Sequence, residues 1–297
     1  MVKKLIRKIN HNRQHIKKNK HCPDKKVTTE IIDGQYIRFK KILGSGLHGY
    51  VYDGIYNDTK IAIKEELDTS HEMRFYQEIQ NNLLGYKSLI TEPGYPGITI
   101  PNIFYSDSKM IIIEQYIKIA SLNLSILDVL YMSIQLLDIL KYYHSLNIIH
   151  RDIKPGNTLY KNGRFYIIDF SISCFTHEKC GRGGTYIYMS QNAHKSGRPS
   201  HMDDLISYAY TIIHLIKELP WAKQDKNNIL SVKRSFKLSN FAYVFGCKQC
   251  KPCNRIAIMY KFLHQIAHFN GDYDSLCNLL LDAIKVHDTV NFPHLIY

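Results

Sequence analysis

The sequence predicts an α+β protein of two lobes, the first rich in strands and the second helical. Three observations carry this reading. Between Gly34 and Glu66, β-forming residues alternate in short runs, "GQYIRFKKILGSG", "GYVYDGIY" and "TKIAIKEE", parted by Gly, Asn and Asp. Beyond Leu122 the apolar period lengthens to that of helices, across Leu130, Ile134 and Leu137 and again in "MDDLISYAYTIIHLIKEL". A chain of 297 residues is long enough to give each lobe a core.

Taken in order, the first three runs read as an antiparallel meander. "SHEMRFYQEIQNNLLGY" then reads as a helix, with Ser70 as N-cap and Met73, Tyr76, Ile79 and Leu83 on one face. "MIIIEQYI" is a buried strand, and a helix runs from Leu122 to His144. "TLYKNGRFYIIDF" is a hairpin, because Asn162-Gly163 supplies a two-residue turn that accepts positive φ. The apolar helix after Met202 is stopped by Pro220, and the chain is helical again from Ile256. No internal repeat is visible.

The charge is uneven. Of a net +13, residues 1–26 carry +9, from eight Lys and two Arg against Asp24, so the rest is only mildly basic at +4. This leader is expected to be disordered, as a solvated tail, a contact for nucleic acid or acidic lipid, or a nuclear address. No run of about 18 apolar residues suggests a membrane span. The opening residues are too charged for a secretory signal, so the seven unevenly spaced cysteines are expected as reduced thiols of an intracellular protein, cytoplasmic or nuclear.

The stretch "LGSGLHGYVYDG" places Gly44, Gly46 and Gly49 at G-x-G-x-x-G spacing, with Val51 two residues on. It lies between two strands. A dinucleotide loop would open a helix there; a strand–turn–strand instead folds over nucleotide phosphates, with Leu43, Ser45, Leu47 and His48 completing the contact set. Alone, this string would fit an ordinary glycine-rich hairpin. It has company. "IAIK" brings Ala62 and Lys64 one strand later, and Lys64 has the reach for phosphate oxygens. Glu72 on the following helix is the carboxylate expected to hold Lys64, with Glu78 as the alternative.

"HRDIKPGN", His150 to Asn157, makes the resemblance specific: it resembles the catalytic loop of protein kinases, H-R-D-x-x-x-x-N, as "IAIK" resembles their V-A-I-K strand. The resemblance covers residues 34–297. It implies the bilobal kinase fold, with an N-lobe over 34–116 and a C-lobe over 117–297. By its terms Asp152 accepts or orients the substrate hydroxyl proton, Lys154 contacts the γ-phosphate as in serine/threonine kinases, and Asn157 ligates Mg²⁺. Asp169 in "IIDFS" stands at the D-F-G aspartate as the second Mg²⁺ ligand, with Ser171 replacing the glycine. Adenine would meet the linker backbone around Glu114 and Tyr116, with Ile113 as gatekeeper.

Further segments are similar to the casein kinase 1 and vaccinia-related kinase group: "EMRFYQ", "GGTYIYMSQNAH", "RPSHMDDLISYAY", "LPW" and "GDYDSL". That resemblance implies that Thr185 hydrogen-bonds near Asp152 and Lys154 and that Asp204 buries its carboxylate against the catalytic loop. Ile206 and Ala209 depart from the group's Glu and Gly, which marks a divergent member. A make-up rich in Ile, Lys, Asn and Tyr suggests an AT-rich genome such as that of a large DNA virus, which would place the protein in a host cell. Ser173 and Thr176 are candidate phosphorylation positions in the short segment after Asp169. The implied activity is transfer of the ATP γ-phosphoryl group to Ser or Thr hydroxyls of protein substrates by a monomer. A pseudokinase scaffold acting through its lobes and leader is the alternative; a small-molecule or lipid kinase is disfavoured by Lys154 and the Thr185 segment.

One pattern stands apart. Cys247, Cys250 and Cys253 fall at C-x-x-C-x-x-C, and His264 and His268 follow four apart on a helix, a spacing compatible with structural zinc. Free thiols in a loop and two helix histidines facing partly into the core would give the same letters.

Overall fold

The computed structural model describes residues 29–32, 35–45, 49–90, 95, 97–107, 109–195, 198–246 and 254–286. Its first part is a six-stranded sheet: β1 (Thr29–Ile32), β2 (Gln35–Ser45), β3 (Gly49–Tyr56), β4 (Thr59–Glu66), β5 (Ile103–Ser106) and β6 (Met110–Glu114), in the order β1-β2-β3-β4-β6-β5. Every neighbouring pair is antiparallel. The meander therefore starts earlier than the alternation suggests, at Thr29. The β3–β4 turn takes Asn57 and Asp58 at positive φ, a conformation these two residues tolerate better than most. Gly49 sits where β3 and β4 nearly touch: a Cβ there would lie 1.8 Å from the Glu65 carbonyl oxygen.

The helix α1 (Ser70–Asn81) lies between β4 and β5 in sequence and buries Glu72, Met73, Phe75, Tyr76 and Ile79. Its start differs from expectation. Ser70 is inside the helix and Thr69 precedes it without a side-chain cap, because the Thr69 hydroxyl donates instead to the Asp107 carbonyl. The sheet keeps a small core of its own, Ile37, Phe39, Tyr52, Ile61, Ile63, Met110 and Ile112. The buried face of α1 belongs instead to the large core of the helical part. This helix thus joins the two parts.

The second part is built on α2 (Ile126–Ser145), which is buried along most of its length. It begins four residues later than expected, at a reciprocal cap in which Ser125 accepts from the Asp128 amide and Asp128 accepts from the Ser125 amide. The short strand β7 (Ile117–Lys118) precedes α2, and β8 (Ile148–Ile149), β9 (Thr158–Lys161), β10 (Arg164–Ile167) and β11 (Cys174–Phe175) follow it. The expected hairpin is β9–β10, with Asn162 and Gly163 at positive φ. The remaining helices are α3 (Gln191–Lys195), α4 (His201–Ile216), α5 (Ile229–Arg234), α6 (Asn254–Ala267) and α7 (Tyr273–Lys285). The helix α4 ends at Ile216, four residues ahead of Pro220. Among the described residues no helix is long and apolar enough to cross a membrane. Residues 150–157 run between β8 and β9 and residues 168–173 between β10 and β11, and the polar residues converge at these two loops.

Candidate active site

Lys64 stands on β4 opposite Val51 on one side and Ile111 on the other. Its ammonium reaches out of the sheet to three carboxylates: Glu72 Oε2 at 2.5 Å, Asp169 Oδ1 at 2.9 Å and Glu66 Oε1 at 3.0 Å. Burial alone would lower the lysine's pKa, but Glu72 and Asp169 outweigh it and hold the ammonium charged well above its ordinary range. Glu72 is almost fully buried, and that burial pushes its carboxyl up to about 6 against the pull of Lys64. At Asp169 burial also opposes ionisation, yet Lys64 and the Ser171 hydroxyl bring the carboxyl down to about 2. Of the two candidates on α1, it is Glu72 that meets Lys64; Glu78 accepts instead from the Asn82 amide side chain.

Glu72 has a second duty. Its Oε1 accepts from the Phe170 amide at 3.2 Å. The Phe170 ring is fully buried and packs against Phe75 and Tyr76 of α1, Tyr143 of α2, and His150, at centroid distances of 4.8 to 6.0 Å. The backbone before it is strained: Asp169 has φ +74° and Arg151 φ +72°. Non-glycine residues hold such conformations where surrounding contacts over-determine them. Those contacts are visible. Ser171 Oγ donates to Asp169 Oδ1 at 2.8 Å, and the Tyr76 hydroxyl accepts from the Asp169 amide at 3.4 Å.

The loop from His150 to Asn157 hangs on Asp204, a fully buried carboxylate near the start of α4. Asp204 accepts from the His150 and Arg151 amides, both at 2.7 Å, and from His144 Nε2 at 3.1 Å. The Tyr273 hydroxyl on α7 donates to His144 Nδ1 and so fixes the ring. Burial works against the charge on Asp204, while His144, His150 and the Arg151 amide together hold its carboxyl below the ordinary range. Burial lowers the pKa of the His150 imidazole, and its Nε2 donates to the Ile168 carbonyl at 3.1 Å.

Asp152 is held by donors on both carboxylate oxygens. Oδ1 accepts from the Thr185 amide at 2.9 Å and the Thr185 hydroxyl at 2.7 Å. Oδ2 accepts from Lys154 Nζ at 2.6 Å and Asn157 Nδ2 at 3.1 Å. Lys154 also donates to Thr185 Oγ1 at 2.9 Å. Thr185 reaches this position because Gly184 takes φ +122°, where a Cβ would stand 2.8 Å from the Arg151 carbonyl oxygen.

The hairpin residues Leu43, Gly44 and Ser45 end β2, with Gly44 opposite Val51 and Ser45 opposite Tyr50. Gly46, Leu47 and His48 lie outside the described residues. Ala62 faces Ile113 across the β4–β6 ladder, and Glu114 and Tyr116 follow in the linker. There Lys161 pairs with Glu114, and the Tyr116 ring lies 4.4 Å from that of Tyr166. Of the zinc pattern, Cys247, Cys250 and Cys253 lie outside the described residues; His264 on α6 and His268, one residue past its end, are exposed and stack on each other at 4.4 Å. Among the described residues no group of three His, Cys, Asp or Glu could hold a metal.

Arg74 in "EMRFYQ" and Arg151 in "HRDIKPGN" receive no role from the sequence alone. Arg74 on α1 grips Glu178 with both terminal nitrogens, at 2.6 and 2.9 Å. Arg151 donates to the Ile172 and Gly181 carbonyls. Ser173, a candidate for phosphorylation by sequence, is buried and donates to the His150 carbonyl at 3.0 Å; its hydroxyl is a brace for the loop and not an exposed acceptor. Thr176 is exposed. The short spacing between "IIDF" and "GGT" was the one signal that this segment is held by its own contacts.

Removing the carboxylate of Asp204 leaves two buried amides and a histidine without their acceptor. Asp204→Ala is expected to lower unfolding free energy by about 3–5 kcal/mol, read from the denaturant midpoint, and Asp204→Asn by less because one acceptor remains.

A profile of the protein kinase domain matches residues 37–270, from the second strand of the sheet to the turn before α7. The match takes in Lys64, Glu72, Asp152, Asn157, Asp169 and Asp204, the residues that converge here, and on that extent the chain belongs to the protein kinase domain family.

Proposed function

We propose that this kinase domain is an active serine/threonine protein kinase, a divergent relative of the casein kinase 1 and vaccinia-related kinase group. The observation that carries the reading is the joint state of two carboxylates. Asp152 is held by Lys154, Thr185 and Asn157, and Asp169 is held ionised beside a Lys64 that Glu72 secures. A scaffold that had lost catalysis would have no need of both.

Asp152 accepts or orients the proton of the incoming hydroxyl, and Thr185 keeps its carboxylate aimed through two hydrogen bonds. Lys154 stands within reach of both Asp152 and Thr185, so its charge is available to the transferred phosphoryl group; this arrangement supports a Ser or Thr acceptor. Lys64 neutralises charge on the α- and β-phosphates. The hairpin around Gly44 and Gly49 covers the phosphates and excludes water. The donor set fits Mg²⁺: Asp169 is an ionised hard-oxygen ligand, and Asn157 bonds Asp152 through Nδ2, which leaves its amide oxygen as a donor. When bound, held by Asp169 and Asn157, the ion would neutralise negative charge on the nucleotide. Positioning and electrostatics therefore supply most of the rate.

The deciding experiment is transfer from labelled ATP with Mg²⁺ to casein or a basic protein, beside Asp152→Ala. Label on Ser or Thr that depends on Asp152 is expected; its absence would overturn the enzyme reading in favour of a scaffold. The pH profile is a second check. Because the Glu72 carboxyl is raised to about 6, it sheds its proton as pH rises through that value, and only then does its negative charge join Asp169 in holding Lys64. The ratio kcat/KM for ATP is expected to rise through about pH 6 to a plateau. In Glu72→Gln that limb should vanish and the plateau fall by roughly tenfold or more. Stability should not follow the same curve. The raised carboxyl of Glu72 favours the fold at acid pH and loses that contribution as pH rises through about 6, whereas the depressed Asp169 contributes above its ordinary value of 3.8 and loses it as pH falls toward about 2.

A further inference from the structure

Lys233 on α5 is fully buried, and none of its close partners is a carboxylate. Its Nζ donates to the Met189 carbonyl at 2.6 Å and the Tyr186 carbonyl at 2.7 Å, and it meets His194 Nε2 at 3.3 Å. The rings of Tyr210 and Trp221 lie 5.1 and 5.4 Å from the same nitrogen. A lysine is almost never buried whole without a paired charge, because desolvating an ammonium is expensive. A neutral amine has two N–H bonds and a lone pair, which match two carbonyls and an imidazole N–H. Burial pushes the Lys233 pKa down to about 7, so these contacts can be kept with or without the extra proton.

What the nitrogen collects is one turn. Tyr188 and Met189 both donate their amides to the Thr185 carbonyl, at 2.8 and 3.0 Å, closing a turn over Thr185–Met189. Lys233 takes the carbonyls of Tyr186 and Met189, and Trp221 Nε1 takes that of Ile187 at 2.8 Å. The first residue of the turn is Thr185, which makes two hydrogen bonds to Asp152. Gln191 on α3 donates to the Lys233 carbonyl at 3.2 Å and ties α5 to the end of the same segment.

We propose that Lys233 is a positioning residue for the acceptor side of the active site: it braces the Thr185–Met189 turn from behind, and through Thr185 it sets the aim of Asp152 and the surface on which the acceptor peptide lies. This rests on the kinase reading. Lys233→Met keeps the length and apolar stem and removes the nitrogen. The variant is expected to bind ATP with KM within about twofold of wild type, while kcat/KM for the protein acceptor drops by roughly tenfold or more, since a small misplacement of a reacting group is costly. Hydrogen exchange at the Tyr188 and Met189 amides should quicken by a similar factor, with the His150 and Arg151 amides unchanged.

Unchanged exchange at 188 and 189, or unchanged acceptor kcat/KM, would overturn the proposal. Should the variant not fold, the wild-type protein supplies the test: the Tyr188 and Met189 amides must exchange slowly, and exchange at the rate of an open loop would overturn the brace. The exchange readout needs no turnover. A protein with no Asp152-dependent transfer would therefore refute the kinase reading and leave the brace to be judged by exchange alone.

Discussion

The ammonium of Lys64 ties together three segments distant in sequence: a strand of the sheet, the helix α1 and the loop that ends in Asp169. The sheet and the helical part keep distinct apolar cores among the described residues, so this polar contact adds a link that their burial does not supply. The link forms only where one cation meets two carboxylates in a shared, partly dry space, and there electrostatic interactions are stronger than at the surface. Glu72 makes it reciprocal. One of its oxygens holds Lys64 and the other holds the Phe170 amide, so the placement of α1 and the placement of Asp169 are set by the same side chain. The rings of Phe75, Tyr76 and Phe170 back this polar contact with apolar area.

A second buried carboxylate governs the other half of the site. Asp204 fixes the backbone at His150 and Arg151, and this steers Arg151 into its strained conformation and presents Asp152 to Thr185. The segment after Asp169 is then held from three sides: by Arg74 through Glu178, by Arg151 through two carbonyls and by Ser173 through His150. None of these contacts requires an added phosphate. Ser171 fits the same logic. In place of a flexible glycine it supplies a hydroxyl that holds the Asp169 carboxylate, so order is gained where backbone freedom is given up.

Much of this was legible in the sequence because the chemistry is local in sequence. The glycine spacing, "IAIK" and "HRDIKPGN" each place several functional groups on one short element, and strand alternation orders them. The Asn162-Gly163 turn was legible for the same reason. What escaped depends on distant packing. Ser173 looks like any exposed hydroxyl until its burial under the catalytic loop is seen. Lys233 sits in "SVKRSFK" among charged neighbours, where a solvated face is the natural expectation; only the fold turns it inward. The start of α1 shifted by one residue because the Thr69 hydroxyl found a tertiary acceptor in Asp107.

The account stands or falls on whether the Lys64–Glu72–Asp169 cluster is a site for a metal-bound nucleotide. Calorimetric titration of a non-hydrolysable ATP analogue, with and without Mg²⁺, measures this directly in the wild-type protein and in Asp169→Asn. The wild type should bind at least about tenfold more tightly with Mg²⁺, and Asp169→Asn should lose that dependence. Equal affinity in the wild type with and without the metal would contradict the account.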